Sequence, residues 1–270
     1  MLKTENGRKR LRSIIKSNEK IVFSQYRISQ PNSTWDEFKN FERGNVYKLI
    51  KNQIFDDQFQ LCAYCETSVP KTPENERRIE HFRSKSGCDP KIDNWHLDWM
   101  NLLGVCVGGS NCKAEYELPL NLSCDSHKSY YEETHKRETK DWVGRILLPL
   151  SLPPEHELFM FDKKNGNLLP NKTYCDGFEF ENHTNVNIEE LVKKTIIVLN
   201  LNCERLCKAR LVMLHEFNRS LANYRSTNNI TVFRNLVIRW SKGTPSFFQT
   251  TRLMLLKDSF IAKKIMEGKD

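Results

Sequence analysis

The 270-residue sequence has no run of about 18 apolar residues, so no transmembrane helix is expected. Its first stretch, "MLKTENGRKRLRSIIK", is basic but lacks an apolar h-region and a small-residue cleavage site. Secretion is therefore not expected, and a cytoplasmic location is. No internal repeat and no long low-complexity linker interrupts the chain, which argues against solenoids and tethered modules. No G-x-x-x-x-G-K-[ST] pattern is present, so any ATPase function would have to come from another chain.

With 39% hydrophobic and 28% charged residues, the composition suits a folded globular protein. The net charge of +8 is unevenly placed. Residues 1–20 carry seven Lys/Arg against two Glu, net +5, and residues 187–270 carry fifteen against seven, net +8. The middle, 21–186, is therefore net −5. Basic flanks around an acidic centre suit a protein that grips phosphates outside and holds a cation inside, although solvated helix faces give the same totals.

The pattern predicts helices in the flanks. Residues 7–19 read as a short basic amphipathic helix with Leu11, Ile14 and Ile15 on one side. Thr34 and Glu37 have capping-box spacing ahead of Trp35, Phe38 and Phe41. Val46, Leu49, Ile50 and Ile54 predict a helix over 45–58. Asn165-Gly166 between two apolar runs predicts a hairpin in 157–170. Residues 187–224 form a long helical pattern that "NLNC" can divide; 228–240 is ambiguous between strand and helix, and its Val232, Leu236 and Trp240, recurring every four residues, favour helix.

Between 61 and 128 the periodicity breaks up, and nine cysteines in a chain with no expected secretion point to thiols or metal ligands. Cys62-x-x-Cys65 is half of a tetrahedral zinc site. Cys106 and Cys124 are chosen as the other half, with Cys112 as substitute; buried thiols or a Cys62/Cys65 redox pair are the alternatives. Four thiolates would leave no position for water, so the ion would be structural. Cys88 and Cys175 are isolated, and Cys203 and Cys207 read as core residues.

Three segments carry chemistry: Glu80-His81 at the end of a strand-like run, Asn101 in "DWMNLL", and Asp125 in "SCDSHKS". Together with the cysteines, the pattern C-x-Y-C-E … I-E-H-F-R-x-K-S … W-x-N-L-L-x-x-C … C-D-x-x-K resembles the HNH, or His-Me finger, endonucleases. The nearest likeness is to HNH subunits of Septu-type and retron-associated anti-phage systems. The resemblance covers residues 62–128 and is looser over the flanks. It implies an α+β fold with a ββα-metal core beside a zinc knuckle, set in mostly helical flanks. The expected divisions are 1–60, 61–145 and 146–270, the last a candidate partner-docking region.

By that resemblance His81 is the general base, Asp125 the ligand of a catalytic Mg²⁺ or Mn²⁺, Glu80 a second ligand or a water-mediated one, and Asn101 the residue that ties the loop. Asp125 departs from the histidine usual at its position but suits a hard cation. His127, two residues on and about 200° around a helix, is the backup. Arg77, Arg78, Arg83, Lys85 and Lys128 are the expected phosphate contacts. The other histidines, His96 included, receive no role. The implied partners are nucleic acid, DNA ahead of RNA, an ABC/SMC-like ATPase and, in a retron, a reverse transcriptase with its RNA–DNA product. An RNase acting on tRNA and a non-catalytic zinc binding module are the rival readings.

Overall fold

A computed structural model describes residues 13–136, 140–153, 157–179 and 183–269. Two four-residue strands, β1 (Arg78–His81) and β2 (Leu102–Val105), pair antiparallel, with Glu80 opposite Leu103 and His81 opposite Leu102. Helix α4 (Cys124–Thr134) follows them. Around this unit lie α1 (Ile21–Ser29), α2 (Trp35–Asn40) and α3 (Asn45–Asp57) on the N-terminal side. On the C-terminal side come the hairpin of β3 (Phe159–Phe161) and β4 (Leu168–Pro170), then α5 (Lys172–Asp176), α6 (Ile188–Val198), α7 (Glu204–Thr227), α8 (Thr231–Lys242), α9 (Gln249–Lys257) and α10 (Phe260–Met266). Among the described residues the fold is mostly helical with two small sheets.

The local signals explain these elements. Thr34 accepts a bond from the Glu37 amide while the Glu37 carboxylate accepts from the Thr34 amide, so the capping box starts α2. Gly166, at φ +83° in the β3–β4 turn, lies against the Cys207 carbonyl, where a Cβ would approach to 2.4 Å. Only glycine fits both demands. The "NLNC" stretch does separate α6 from α7.

Two clusters of buried side chains hold the molecule. Phe23, Tyr26, Phe38, Val46, Ile50 and Ile54 of the N-terminal helices pack on Leu97, Trp99 and Leu102. A larger core joins the cysteine segment to the C-terminal helices, running from Cys62 and Phe82 through Leu191 and Leu206 to Trp240 and Leu256. The Glu66 carboxylate adds a polar tie by accepting from the Thr250 amide and hydroxyl at 2.9 and 2.7 Å.

One expected helix is corrected. Within 7–19, residues 7–12 lie outside the described part, and 13–19 are not helical. The chain there runs unwound across the fold, with Ile14 buried and Ile15 exposed. Lys16 reaches the Trp99 and Leu102 carbonyls, and its ammonium sits 3.5 Å from the Trp99 ring centre. Burial lowers its pKa to about 7. These contacts satisfy the segment better than one isolated helical turn would.

Candidate active site and metal centre

The cysteines converge. The Sγ atoms of Cys62, Cys65, Cys106 and Cys124 all lie within 4.8 Å of one another. Individual separations are 3.7 Å for Cys62–Cys124, 3.7 Å for Cys65–Cys106 and 3.9 Å for Cys106–Cys124. A tetrahedron with Zn–S of about 2.3 Å has edges of about 3.8 Å, so the donor set fits that ion. Cys62 and Cys65 sit in the tight turn after α3, Cys106 follows β2, and Cys124 opens α4 in the left-handed region at φ +56°. Outer bonds orient the sulfurs: the Gly108 amide donates to Cys106 Sγ at 3.3 Å, and Thr67 Oγ1 lies 3.1 Å from Cys65 Sγ. Hydrogen bonds from the neighbouring thiols hold the Cys65 pKa well down, whereas burial first, then those neighbours, push Cys124 well up. Without a cation the cluster thus resists full ionisation, which is the charge a Zn²⁺ would neutralise. Cys112 stands outside it, its sulfur against Asn111.

The carboxylates meet beside this cluster. Residues two apart on a strand share a face and neighbours oppose, so Glu80 and His81 point to opposite sides of β1. Glu80 faces α4. It is 6% exposed, and its Oε1 accepts from the Lys128 ammonium and, at 3.4 Å, from the Tyr64 hydroxyl. Burial, then the charge of Asp125, raise the Glu80 pKa well above the usual carboxylate range, with Lys128 opposing. Asp125, in the first turn of α4, is partly open to solvent. Two neighbouring carboxylates, one buried and one partly exposed, are suited to a hard divalent cation. Tyr64 belongs to the Cys62–Cys65 turn, so it bridges the two centres. The sequence singled it out only as a letter of the motif.

His81 lies on the other face, 4% exposed. Its Nε2 is 3.1 Å from the His96 carbonyl, so that nitrogen carries the proton and donates. Nδ1 then keeps the lone pair. The Trp35 ring stands edge-on to the imidazole at 4.7 Å. His96, given no role from the sequence, accepts from the Trp35 amide at 3.0 Å and so locks α2 to the His81 loop. Asn101 ties that loop: its Oδ1 accepts from the Arg83 amide at 2.6 Å, and its Nδ2 donates to the Arg83 and Trp95 carbonyls.

Burial pulls the His81 pKa down to about 3. A depressed histidine contributes stability above its unfolded pKa of about 6.5, lost as pH falls because the unfolded chain takes the proton first. Between pH 6.5 and 3 this group alone should cost on the order of 5 kcal/mol. Urea melts of His81→Gln should show a shallower acid limb than wild type; parallel limbs would contradict the assignment.

The expected phosphate cradle is corrected at several positions. Lys128 is 2% exposed, and its three N–H groups are taken by Glu80, the His81 carbonyl at 2.9 Å and the Phe82 carbonyl at 2.9 Å. Arg77 is 4% exposed, stacked on Phe55 and bonded to Asn52. Arg78 bonds Ser126 and Ser110, and Arg83 pairs with Asp93 and Asp141 over the Trp95 ring. Among the described residues only Lys85 of the five keeps an ammonium without such a partner. Side-chain direction, not sequence position, decided the outcome: these cations neutralise and anchor the fold. The backup ligand His127 bonds the Val198 carbonyl at 2.9 Å and ties α4 to α6. Lys128→Met should therefore destabilise the protein by about 3–5 kcal/mol, the cost of leaving a buried charge unpaired. Adding Glu80→Gln should recover part of the loss in thermal melts.

No family model matches the chain. It is 45% identical over 258 residues, 96% of this chain and 98% of the relative, to an Escherichia coli protein whose name assigns it to retron Ec83 and to the HNH endonucleases. Strands bearing Glu80-His81, a helix opened by Cys124-Asp125 and near-complete coverage of that relative converge: the chain belongs to the retron-linked HNH endonucleases and is a nuclease.

Proposed function

We propose that the protein hydrolyses phosphodiester bonds, DNA ahead of RNA, from a ββα-metal centre built on β1, β2 and α4. The observation that carries this reading is the carboxylate pair of Glu80 and Asp125 at the junction of β1 and α4, with His81 as the next residue of the strand. Asp125, partly exposed, is the principal ligand of Mg²⁺ or Mn²⁺, and Glu80, one oxygen already held by Lys128, is the supporting one. The cation supplies charge stabilisation for the phosphoryl oxygens. His81 supplies the proton acceptor: neutral at pH 7, protonated on Nε2, with Nδ1 free to receive a proton from water. Its place beneath Trp35 means that the loop held by His96 must shift for water to reach it. Cys62, Cys65, Cys106 and Cys124 would hold a structural Zn²⁺, which would tie the start of α4 to the end of β2.

The test is incubation of the purified chain with plasmid DNA and with total tRNA, each with Mg²⁺ or Mn²⁺ and with a His81→Ala control. Metal-dependent cutting of DNA by wild type alone supports the reading. Cutting of tRNA but not DNA would replace the substrate, and equal cutting by His81→Ala would remove the mechanism. Because the relative is named for a retron, we also infer that the chain works in a defence complex with an ABC/SMC-like ATPase and a reverse transcriptase carrying its RNA–DNA product. Co-purification of the full chain with either protein tests that inference.

A further inference from the structure

Of the cations expected to grip phosphate around His81, all but Lys85 are engaged by partners within the fold, so any further grip would come from elsewhere on the molecule. Residues 215–242 hold Arg219, Arg225, Arg234, Arg239 and Lys242 against a single acid, Glu216. They form the antiparallel pair of α7 and α8, reversed at Asn228, which takes the left-handed conformation at φ +52°. Between the two helices runs a groove of about 450 Å³. Arg219, Ser220 and Asn223 line one wall, and Asn235 and Arg239 the other.

Two arginines of this groove offer charge to an anion. Arg219 is exposed and makes no bond or ion pair to any described residue. Ser220 is 8% exposed, and its hydroxyl has no hydrogen-bond partner although buried. Arg239 is held at 2.5 Å by the Glu216 carboxylate, an intramolecular oxyanion at the end of the groove. The Asn223 and Asn235 amides add neutral donors with no sequence preference. The α7 axis carries the groove about 20 Å from Arg205, which bonds Ser123 beside the zinc cluster.

We propose that the α7–α8 groove is a nucleic-acid contact remote from the hydrolytic centre, binding a phosphodiester backbone through Arg219 and Arg239. It rests on the reading of the chain as a nuclease and names where the substrate is held. The groove reads backbone charge, so it fits DNA and RNA alike, and it extends the substrate across the molecule from the carboxylate pair. Displacement of Glu216 by a phosphate frees Arg239 to join Arg219 on one strand.

The test uses the full-length chain without added Mg²⁺ or Mn²⁺, so that cleavage does not interfere. Fluorescence anisotropy is read with labelled single-stranded DNA, duplex DNA and single-stranded RNA of one sequence, across a salt series. Arg219→Ala with Arg239→Gln should weaken binding about tenfold and flatten the slope of log affinity against log salt by about 1–2. Glu216→Gln, which releases Arg239, should tighten it, a gain that misfolding does not produce. Zinc content and melting temperature should match wild type in both variants. Unchanged affinity and slope on all three probes would overturn the proposal, as would a wild-type chain that binds none of them at 50 mM salt, a condition set by the salt range over which such contacts act, roughly 50–200 mM. So would loss of a co-purifying protein from the double variant with its nucleic-acid affinity intact, which makes the groove a protein interface. Failure here with metal-dependent cleavage retained faults the groove alone; binding without cleavage in either metal faults the nuclease mechanism alone.

Discussion

Cys62→Ala or Cys124→Ala should release one zinc per chain and unfold the segment from the Cys62 turn to α4. Between residues 61 and 123 the regular structure amounts to β1, β2 and short 3₁₀ turns, too little to bury an independent core. The metal would close that gap by joining three remote points: the turn after α3, the end of β2 and the start of α4. In small zinc domains the ion contributes about 10–16 kcal/mol, comparable to the whole stability of a domain, about 5–15 kcal/mol. Losing one of four thiolates removes most of it. The measurement is zinc release to a chromogenic chelator, followed by near-ultraviolet circular dichroism, which reports Trp95 and Trp99 of the same segment. Cys112→Ala is the control and should keep both metal and spectrum, because its sulfur stands outside the cluster. A Cys62→Ala chain that retains stoichiometric zinc would refute the four-thiolate centre. Because Glu66 and the larger core tie this segment to α9, the C-terminal helices should melt with it rather than separately.

The sequence carried much of this architecture because the responsible signals are local. The Cys62-x-x-Cys65 spacing, the Thr34/Glu37 box and Asn165-Gly166 each specify geometry within a few residues, and each appears as that geometry. The repeat of α3 was equally direct, and the four-residue repeat of α8 tipped an ambiguous stretch to helix, which it is. Helices α1, α9 and α10 were not anticipated: they are short, and their apolar residues gain a meaning only from distant partners such as Trp99 and Trp240. The site residues failed in a more instructive way. Lys128 and Arg77 read as surface cations because composition cannot show direction. Their partners, Glu80 and Asn52, lie 48 and 25 positions away. The same blindness hid Trp35 and His96. Neither was given a role, yet the Trp35 ring stands against the His81 imidazole and His96 bonds both that imidazole and the Trp35 amide.

His81→Ala and Asp125→Ala should each abolish detectable cleavage, but for different reasons and with different side effects. Loss of a general base lowers rates by about 10²–10⁴. His81→Ala also opens a cavity beneath Trp35, so the variant should melt earlier, and His81→Gln, closer in volume, separates the two effects: it restores stability without restoring cutting. Neither substitution touches a thiol, and zinc content should stay at wild-type level. Asp125→Ala acts through the cation. It removes the charge that, after burial, raises the pKa of Glu80, so the neighbouring carboxylate ionises more readily and Lys128 holds it more firmly. The folded chain should become no less stable, and it should lack the rise in melting temperature that Mn²⁺ is expected to give wild type. Single-turnover cleavage of a labelled duplex, with melts in the presence and absence of Mn²⁺, distinguishes these cases. A His81→Gln enzyme within threefold of wild type would move the proton acceptor to another residue, and a Mn²⁺-induced stabilisation surviving in Asp125→Ala would move the cation away from α4. Should both variants lose cleavage while only Asp125→Ala loses the Mn²⁺ response, the two faces of β1 act separately, one binding the ion and one taking the proton. The His96-held loop beneath Trp35 is then the element whose movement brings them to the same phosphate.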